Sequence, residues 1–433
     1  MIRTTTLAAT ALLCLASILP AAAQDVLIRR AKVHTATDRG TLADADVLVQ
    51  GGVIRGVGPG LAAPAGIEVV EAGGRPLTPG LFAGLTALGL EEISGERDTV
   101  DHAIDFSQVA TVDAQWRPEF DPVPAYNPRS AAIAVNRVEG LTFTMLAPGS
   151  MGGGSFVTGQ GEAVRLDGRF DATLDGSRTL FVDLGGGAVR QAGGSRAALY
   201  MLLEQAIAEA ARTGTALTLA DAGRGLLTPA GRETFARYLD GGRVVFYVDR
   251  AADIVQALKL AERHGFEPII AGGAEAWEVA DLLATRGVPV LVDALANLPS
   301  DFEHLGARLD NAARLHAAGV PVGFTQSGDA THNARKIRQL AGVAAANGLP
   351  WEAALAGITS VPAQAFGVGD RVGRIAVGQR ADLVLWSGDP LEVTTGADQV
   401  WIAGRPDPMR SRQTELRDRY LGETGGWPRG YVK

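Results

Sequence analysis

From Arg243 onward the chain repeats one unit, an unbroken apolar run followed by an amphipathic stretch. RVVFYVD precedes AADIVQALKLAERHG, FEPIIAGG precedes AEAWEVADLLATRG, VPVLVDAL precedes LDNAARLHAAG, and VPVGFTQ precedes HNARKIRQLAGVAAANG. Apolar runs without polar alternation belong to strands covered on both faces, which is the condition of a parallel sheet. The intervening periodicity is that of helices, and Gly265 supplies a stop for the first of them. Alternating strands and helices predict a parallel sheet wrapped by helices.

The two ends of the chain have a different texture. DVLIRRAKVHTA, ADVLVQGGVIRGVG and IEVVEAGGRPLTPG alternate apolar and polar residues with glycine pairs between them. VGRIAVGQRADLVLWSGDP and QVWIAGRP repeat that pattern some three hundred residues later, which predicts hairpin-rich strands. Both ends therefore build one small β-sandwich domain, from residues 24–79 and 370–407, around a β/α barrel of residues 80–369. Residues 91–175 carry Pro, Asn and Gly punctuation with few strand signals and read as an irregular insertion near the barrel mouth. Residues 408–433 read as an exposed helix followed by a tail.

The 433 residues are 46% hydrophobic, enough for a large core, and carry a net charge of −8. No basic stripe exists to neutralise phosphates, which argues against nucleic acid. The first 23 residues have the positive, apolar and small-residue regions of a secretory signal with cleavage near Ala23, so the expected location is periplasmic or secreted. No remaining segment is long and apolar enough for a membrane span. The single cysteine, Cys14, falls inside that signal, so the mature chain has no thiol for disulfides, zinc or nucleophilic attack. Glycine clusters such as GSMGGGSF lack the lysine of a phosphate loop, and no Gly-x-Ser-x-Gly elbow occurs.

With those segments in order, the chain resembles the amidohydrolase superfamily, in particular its imidazolonepropionase-like and dipeptidase-like branch. ADVLVQGGVIRGVG is similar to the first wrapper strands and LTPGLFAGLTALGL to the segment entering barrel strand 1. SGDATHNARKIRQLAG resembles the strand 8 region, PWEAALAGITSVPAQAFGV the helix after it, and VGRIAVGQRADLVLWSGDP the returning wrapper strand. The resemblance implies an α/β fold, an amidohydrolase-type (β/α)8 barrel. It also implies one or two divalent metals at the mouth, held by His-x-His on strand 1, a carbamylated lysine on strand 4, histidines on strands 5 and 6, and an aspartate on strand 8. Such a metal activates water and polarises a carbonyl for hydrolysis of C–N bonds.

This chain departs from that pattern. Leu85 and Ala87 stand at the His-x-His positions, Tyr247 at the strand 5 position and Ala271-Gly272 near the strand 6 position. Lys32, Lys259, Lys336 and Lys433 all fall away from a mid-barrel strand end. Asp329 alone matches its ligand position. Of the six histidines, only His332 lies close to a barrel strand end, while His102 and His304 are in loops. The expected site is therefore without metal or other cofactor, with Asp329 and Tyr247 as candidate catalytic groups and Leu85, Ala87, Asp249 and His332 as candidate ligand-binding residues. A single divalent cation held by a carboxylate-rich mouth is the alternative, because Asp183, Asp221, Asp249, Asp293 and Asp329 close successive strands. The same aspartates would serve equally as helix caps.

Two functions follow as expectations. One is an exported family member that has lost the metal and binds a small amide, dipeptide or imide-like ligand, alone, as a homo-oligomer, or beside a histidine-bearing paralogue. The other is an active C–N hydrolase with a rebuilt mononuclear site using Asp329 and nearby carboxylates.

Overall fold

A computed structural model describes residues 25–104, 115–149, 155–212, 225–328 and 330–421. The signal-like segment with Cys14, and the aspartates Asp221 and Asp329, lie outside the described residues.

The N-terminal part forms β1 (Val26–His34), β2 (Thr41–Gln50), β3 (Val53–Gly58), β4 (Glu68–Glu71) and β5 (Pro76–Pro79). The barrel supplies β6 (Leu81–Thr86), β7 (Leu141–Leu146), β8 (Val157–Gly161), β9 (Ala163–Arg165), β10 (Thr179–Asp183), β11 (Arg243–Val248), β12 (Glu267–Gly272), β13 (Val290–Val292) and β14 (Val322–Phe324). The chain then returns through β15 (Leu383–Trp386), β16 (Ala397–Ile402) and β17 (Arg405–Pro406).

Both ends meet in one eight-stranded sheet of order β17-β16-β15-β5-β1-β2-β3, with β4 also paired to β1. Its core includes Val26, Ile28, Val33, Val47, Leu383 and Trp401. The central seam is β5 against β15, antiparallel, with Leu77 opposite Leu385. Beside it the buried Trp386 donates from Nε1 to Thr78 Oγ1 at 2.9 Å. The Arg338 guanidinium lies 4.8 Å from the Trp386 ring centroid. Gly140 is required here twice over, since its φ is +93° and an added Cβ would come within 2.7 Å of Trp386. Asp382, at the head of DLVLW, is fully buried; burial pushes its carboxyl up, and Arg380 at 3.0 Å opposes that. It also accepts the Ala403 N–H at 2.7 Å, at a turn where Ala403 has φ +50°.

The barrel wall comprises a six-stranded sheet, β14-β13-β12-β11-β10-β8, and a three-stranded sheet, β6-β7-β9. Pairings within β10 to β14, and between β6 and β7, are parallel. The expected β/α barrel is thus the architecture. One expectation changes: β7 lies inside the region read as an irregular insertion, yet it is a fully buried stave beside β6. Its alternating threonines hid it. Residues 157–165 also form wall, as a bent pair of strands antiparallel to β10 on one side and β7 on the other.

Strand periodicity divides the core. Phe181, Val245, Ile269 and Leu291 point into the barrel and pack with Phe82, Leu85 and Phe143. Their neighbours Leu180, Val244, Phe246, Ile270 and Val290 point outward against the helices. The outer layer includes helices Arg196–Ala211, capped by Ser195, and Ala251–His264, ended by Gly265 at φ +70°. Helix Arg412–Leu421 buries no residue.

Candidate functional site

The two-residue repeat of each stave carries on past its last paired residue, which fixes what faces the mouth. Phe181 points inward, and so does Asp183; Val245 is followed by Tyr247 and Asp249; Leu291 is followed by Asp293; Leu85 is followed by Ala87. Leu85, Ala87, Asp183, Tyr247, Asp249 and Asp293 line a cavity of about 600 Å³ at the C-terminal ends of the staves, together with Glu91, His102, His304 and Gln326. That is the end of a β/α barrel where reactive groups collect.

Four of the expected residues are brought together here: Leu85, Ala87, Tyr247 and Asp249 all line the cavity. His332 does not line it, although its Nε2 stands 3.9 Å from Oε1 of the lining residue Glu91. Asp329 lies outside the described residues, so its position adds nothing to this geometry. Sequence reasoning missed Glu91, His102 and His304. Each sits in a connecting loop whose direction periodicity cannot supply.

Tyr247 lies opposite Asp183 in the β10–β11 register and stacks on Phe181 at 6.1 Å between ring centroids. Burial, and then the negative charge of Asp183, hold its phenol above the usual range. Its hydroxyl makes no hydrogen bond to a described residue. Asp183 Oδ1 accepts the Gly185 N–H at 2.8 Å. Burial pushes the Asp183 carboxyl up, and the nearby Glu303 charge adds to that.

Asp249 does not cap the helix that follows it. The Ala251 N–H is taken by Glu275 Oε2 at 3.0 Å, which leaves Asp249 to turn toward the mouth. Its Oδ1 accepts the Ala274 N–H at 3.2 Å, and a Cβ on Gly272 would come within 2.6 Å of that oxygen. Gly272, at φ +95°, is therefore the residue that makes room for Asp249. On its other side His304 Nε2 is 3.6 Å from Asp249 Oδ2, and His304 Nδ1 is 2.8 Å from Asp301 Oδ1. Burial alone would lower the His304 pKa. The hydrogen bond to Asp301 and the charges of Asp249 and Asp301 outweigh it, and the imidazole is raised above its ordinary value. Burial likewise pushes the Asp249 carboxyl up, against the pull of His304.

Across the mouth, Glu91 Oε2 is 3.3 Å from His102 Nε2. Asp293 is satisfied by local N–H groups, accepting from Leu295 at 2.9 Å and from Ser327 at 2.9 Å.

With this geometry in place, the family model described as "Amidohydrolase family" matches residues 185–406, just over half of the chain. The chain belongs to the amidohydrolase family. It is similar to an amidohydrolase from Thermotoga maritima, with TM-score 0.74 and 24% identity, covering 88% of this chain and 99% of that one; this likeness concerns the fold. It is 51% identical over 57 residues to Amidohydrolase tasK of Hapsidospora irregularis, covering 13% of this chain and 6% of that protein. It is also 29% identical over 179 residues to an imidazolonepropionase of Stenotrophomonas maltophilia, covering 39% of this chain and 42% of that protein. The chain thus spans less than half the length of these curated relatives.

A divalent metal of the kind implied by the resemblance does not fit the described donors of this amidohydrolase-family chain. Zinc requires three or four nitrogen, oxygen or sulfur ligands in close convergence. Leu85 and Ala87 present carbon to the cavity at the strand 1 positions, and Gly272 is committed to accommodating Asp249. Among the described residues no three His, Cys, Asp or Glu side chains converge to hold an ion.

Proposed function

We propose that this is an exported amidohydrolase-family protein whose barrel mouth binds a small amide, dipeptide or cyclic imide without the ancestral metal. It would act alone, as a homo-oligomer, or as the partner subunit of a histidine-bearing paralogue. The single observation that carries the reading is the aliphatic pair Leu85 and Ala87 lining a cavity of about 600 Å³. A volume of that size suits a small organic ligand, and polar groups converge on it from several staves. Among the described residues no helix is long and apolar enough to cross a membrane. Release after cleavage near Ala23 is proposed on the N-terminal sequence alone.

Elemental analysis of protein purified without chelator tests the reading. The expected result is substoichiometric zinc, manganese and iron; one tightly held equivalent overturns it and favours a rebuilt mononuclear hydrolase. Fractionation of the producing cell, with N-terminal sequencing of the mature chain, tests export. A start near Gln24 is expected, and an intact cytoplasmic chain overturns that part.

A further inference from the structure

The lining carboxylates are not equivalent. Glu91 has His102 against one oxygen and His332 near the other. Asp293 has both oxygens occupied by the N–H groups of Leu295 and Ser327. Asp183 and Asp249 differ: each spends Oδ1 on one backbone N–H and leaves Oδ2 without a hydrogen bond from a described residue. The approach of His304 to Asp249 Oδ2, at 3.6 Å, is longer than a hydrogen bond. The unpartnered Tyr247 hydroxyl belongs to the same stretch of wall, since Tyr247 faces Asp183 in register and is two residues from Asp249. Gln326 Oε1 is buried in the same cavity with no partner. Among the described residues no lysine or arginine lines the cavity.

The open groups are thus chiefly acceptors facing the mouth, and a cleft lined by one sign of charge draws a ligand of the opposite sign. We infer that Asp183, Asp249 and Tyr247 form a subsite for an organic ammonium group on the ligand. This rests on the reading of the cavity as a small-amide site and specifies which amides enter it: those with a free amine. An ammonium brings three donors and a positive charge, matching two open carboxylate oxygens and the phenolic oxygen. A bare metal ion would need more converging oxygens than the described residues offer. The Asp301 and His304 pair stands beside the Asp249 carboxylate.

Isothermal titration with L-alanyl-L-alanine amide and its N-acetyl counterpart tests the subsite on the full-length mature protein. The free amine is expected to bind at least about tenfold more tightly, the ordinary scale for a desolvated charge pair. Asp183→Asn and Asp249→Asn should each lower the ratio of the two affinities toward one, with thermal denaturation confirming that each variant folds. In the wild-type protein, binding of the free amine at mildly acidic pH should release protons, read by titrating in two buffers of different ionisation enthalpy. A cation lowers the pKa of carboxyls that burial has raised. Equal binding of the two compounds, or a preference that survives both substitutions, overturns the ammonium subsite and leaves small-amide binding standing. Binding of neither compound to the wild-type protein overturns both.

Discussion

The Leu85 backbone N–H donates to Thr325 Oγ1 at 3.2 Å, across 240 residues of sequence. Leu85 belongs to the first stave and Thr325 follows the last, so this bond stitches the seam where the barrel closes. Two residues on, the Ala87 N–H donates to Thr331 Oγ1 at 3.1 Å. Positions that would face a metal in the family pattern are here fastened through their backbone to hydroxyls of the final strand region.

Thr325→Val keeps the shape of the side chain and removes the acceptor. The buried Leu85 N–H is then left unsatisfied, at a cost of about 1–3 kcal/mol. Urea denaturation should show that loss, with Thr325→Ser retaining most of the stability. Equal stability of the valine variant would mean that the seam is held by packing alone.

Gly140→Ala and Gly378→Ala separate steric conflict from backbone strain. Both glycines have positive φ, +93° and +92°, but only Gly140 faces Trp386, while nothing lies within 4 Å of the second position. Backbone strain alone costs about 1–2 kcal/mol. Displacing Trp386 adds about 1–3 kcal/mol more. The Gly140 variant should therefore melt well below the Gly378 variant in calorimetry.

His34 gives a pH dependence whose sign is fixed. Burial lowers its pKa from 6.5 to about 4, and it packs against Trp351 with Nδ1 2.7 Å from Thr41 Oγ1. Between these two values the unfolded chain binds a proton that the folded chain refuses. Its contribution to stability is complete above pH 6.5 and falls as pH drops toward 4, by roughly 3 kcal/mol in total. His34→Gln should flatten that part of the profile relative to wild type. Parallel profiles for the two proteins would refute the assignment.

The imidazole of His304 should titrate above its ordinary value in proton NMR, and Asp301→Asn should move it down. The hydrogen bond from His304 to Asp301 is the largest of the raising influences. A titration curve indifferent to this substitution would show that Asp249 and Glu303 control the ring without Asp301.

The sequence made the long elements legible because burial on both faces erases polar residues from a stave. RVVFYVD and VPVLVDAL announce themselves in that way, and their period of two also carries Tyr247, Asp249 and Asp293 inward. It concealed β7, whose LTFTML alternates threonine with apolar residues and resembles a half-exposed strand. Both threonines are buried, and Thr144 is bonded, its Oγ1 to Thr86 Oγ1 at 2.8 Å and to Gly84 O at 2.9 Å. At the mouth, the aspartates could be read as caps or as site residues with equal reason. Only the capture of the Ala251 N–H by Glu275 shows Asp249 to be free of that duty. His102 and His304 reach the cavity through loops, where no repeat constrains direction.

The pairing of β5 with β15 has a kinetic consequence. Leu77 emerges from the ribosome three hundred residues ahead of Leu385, its neighbour across the sheet. Until then the edge of β5 has no mate, and the cost of closing so long a loop slows its capture. The nascent protein must carry an open strand margin through synthesis of the whole barrel, and a chain truncated before Leu383 would keep that margin permanently available to other molecules.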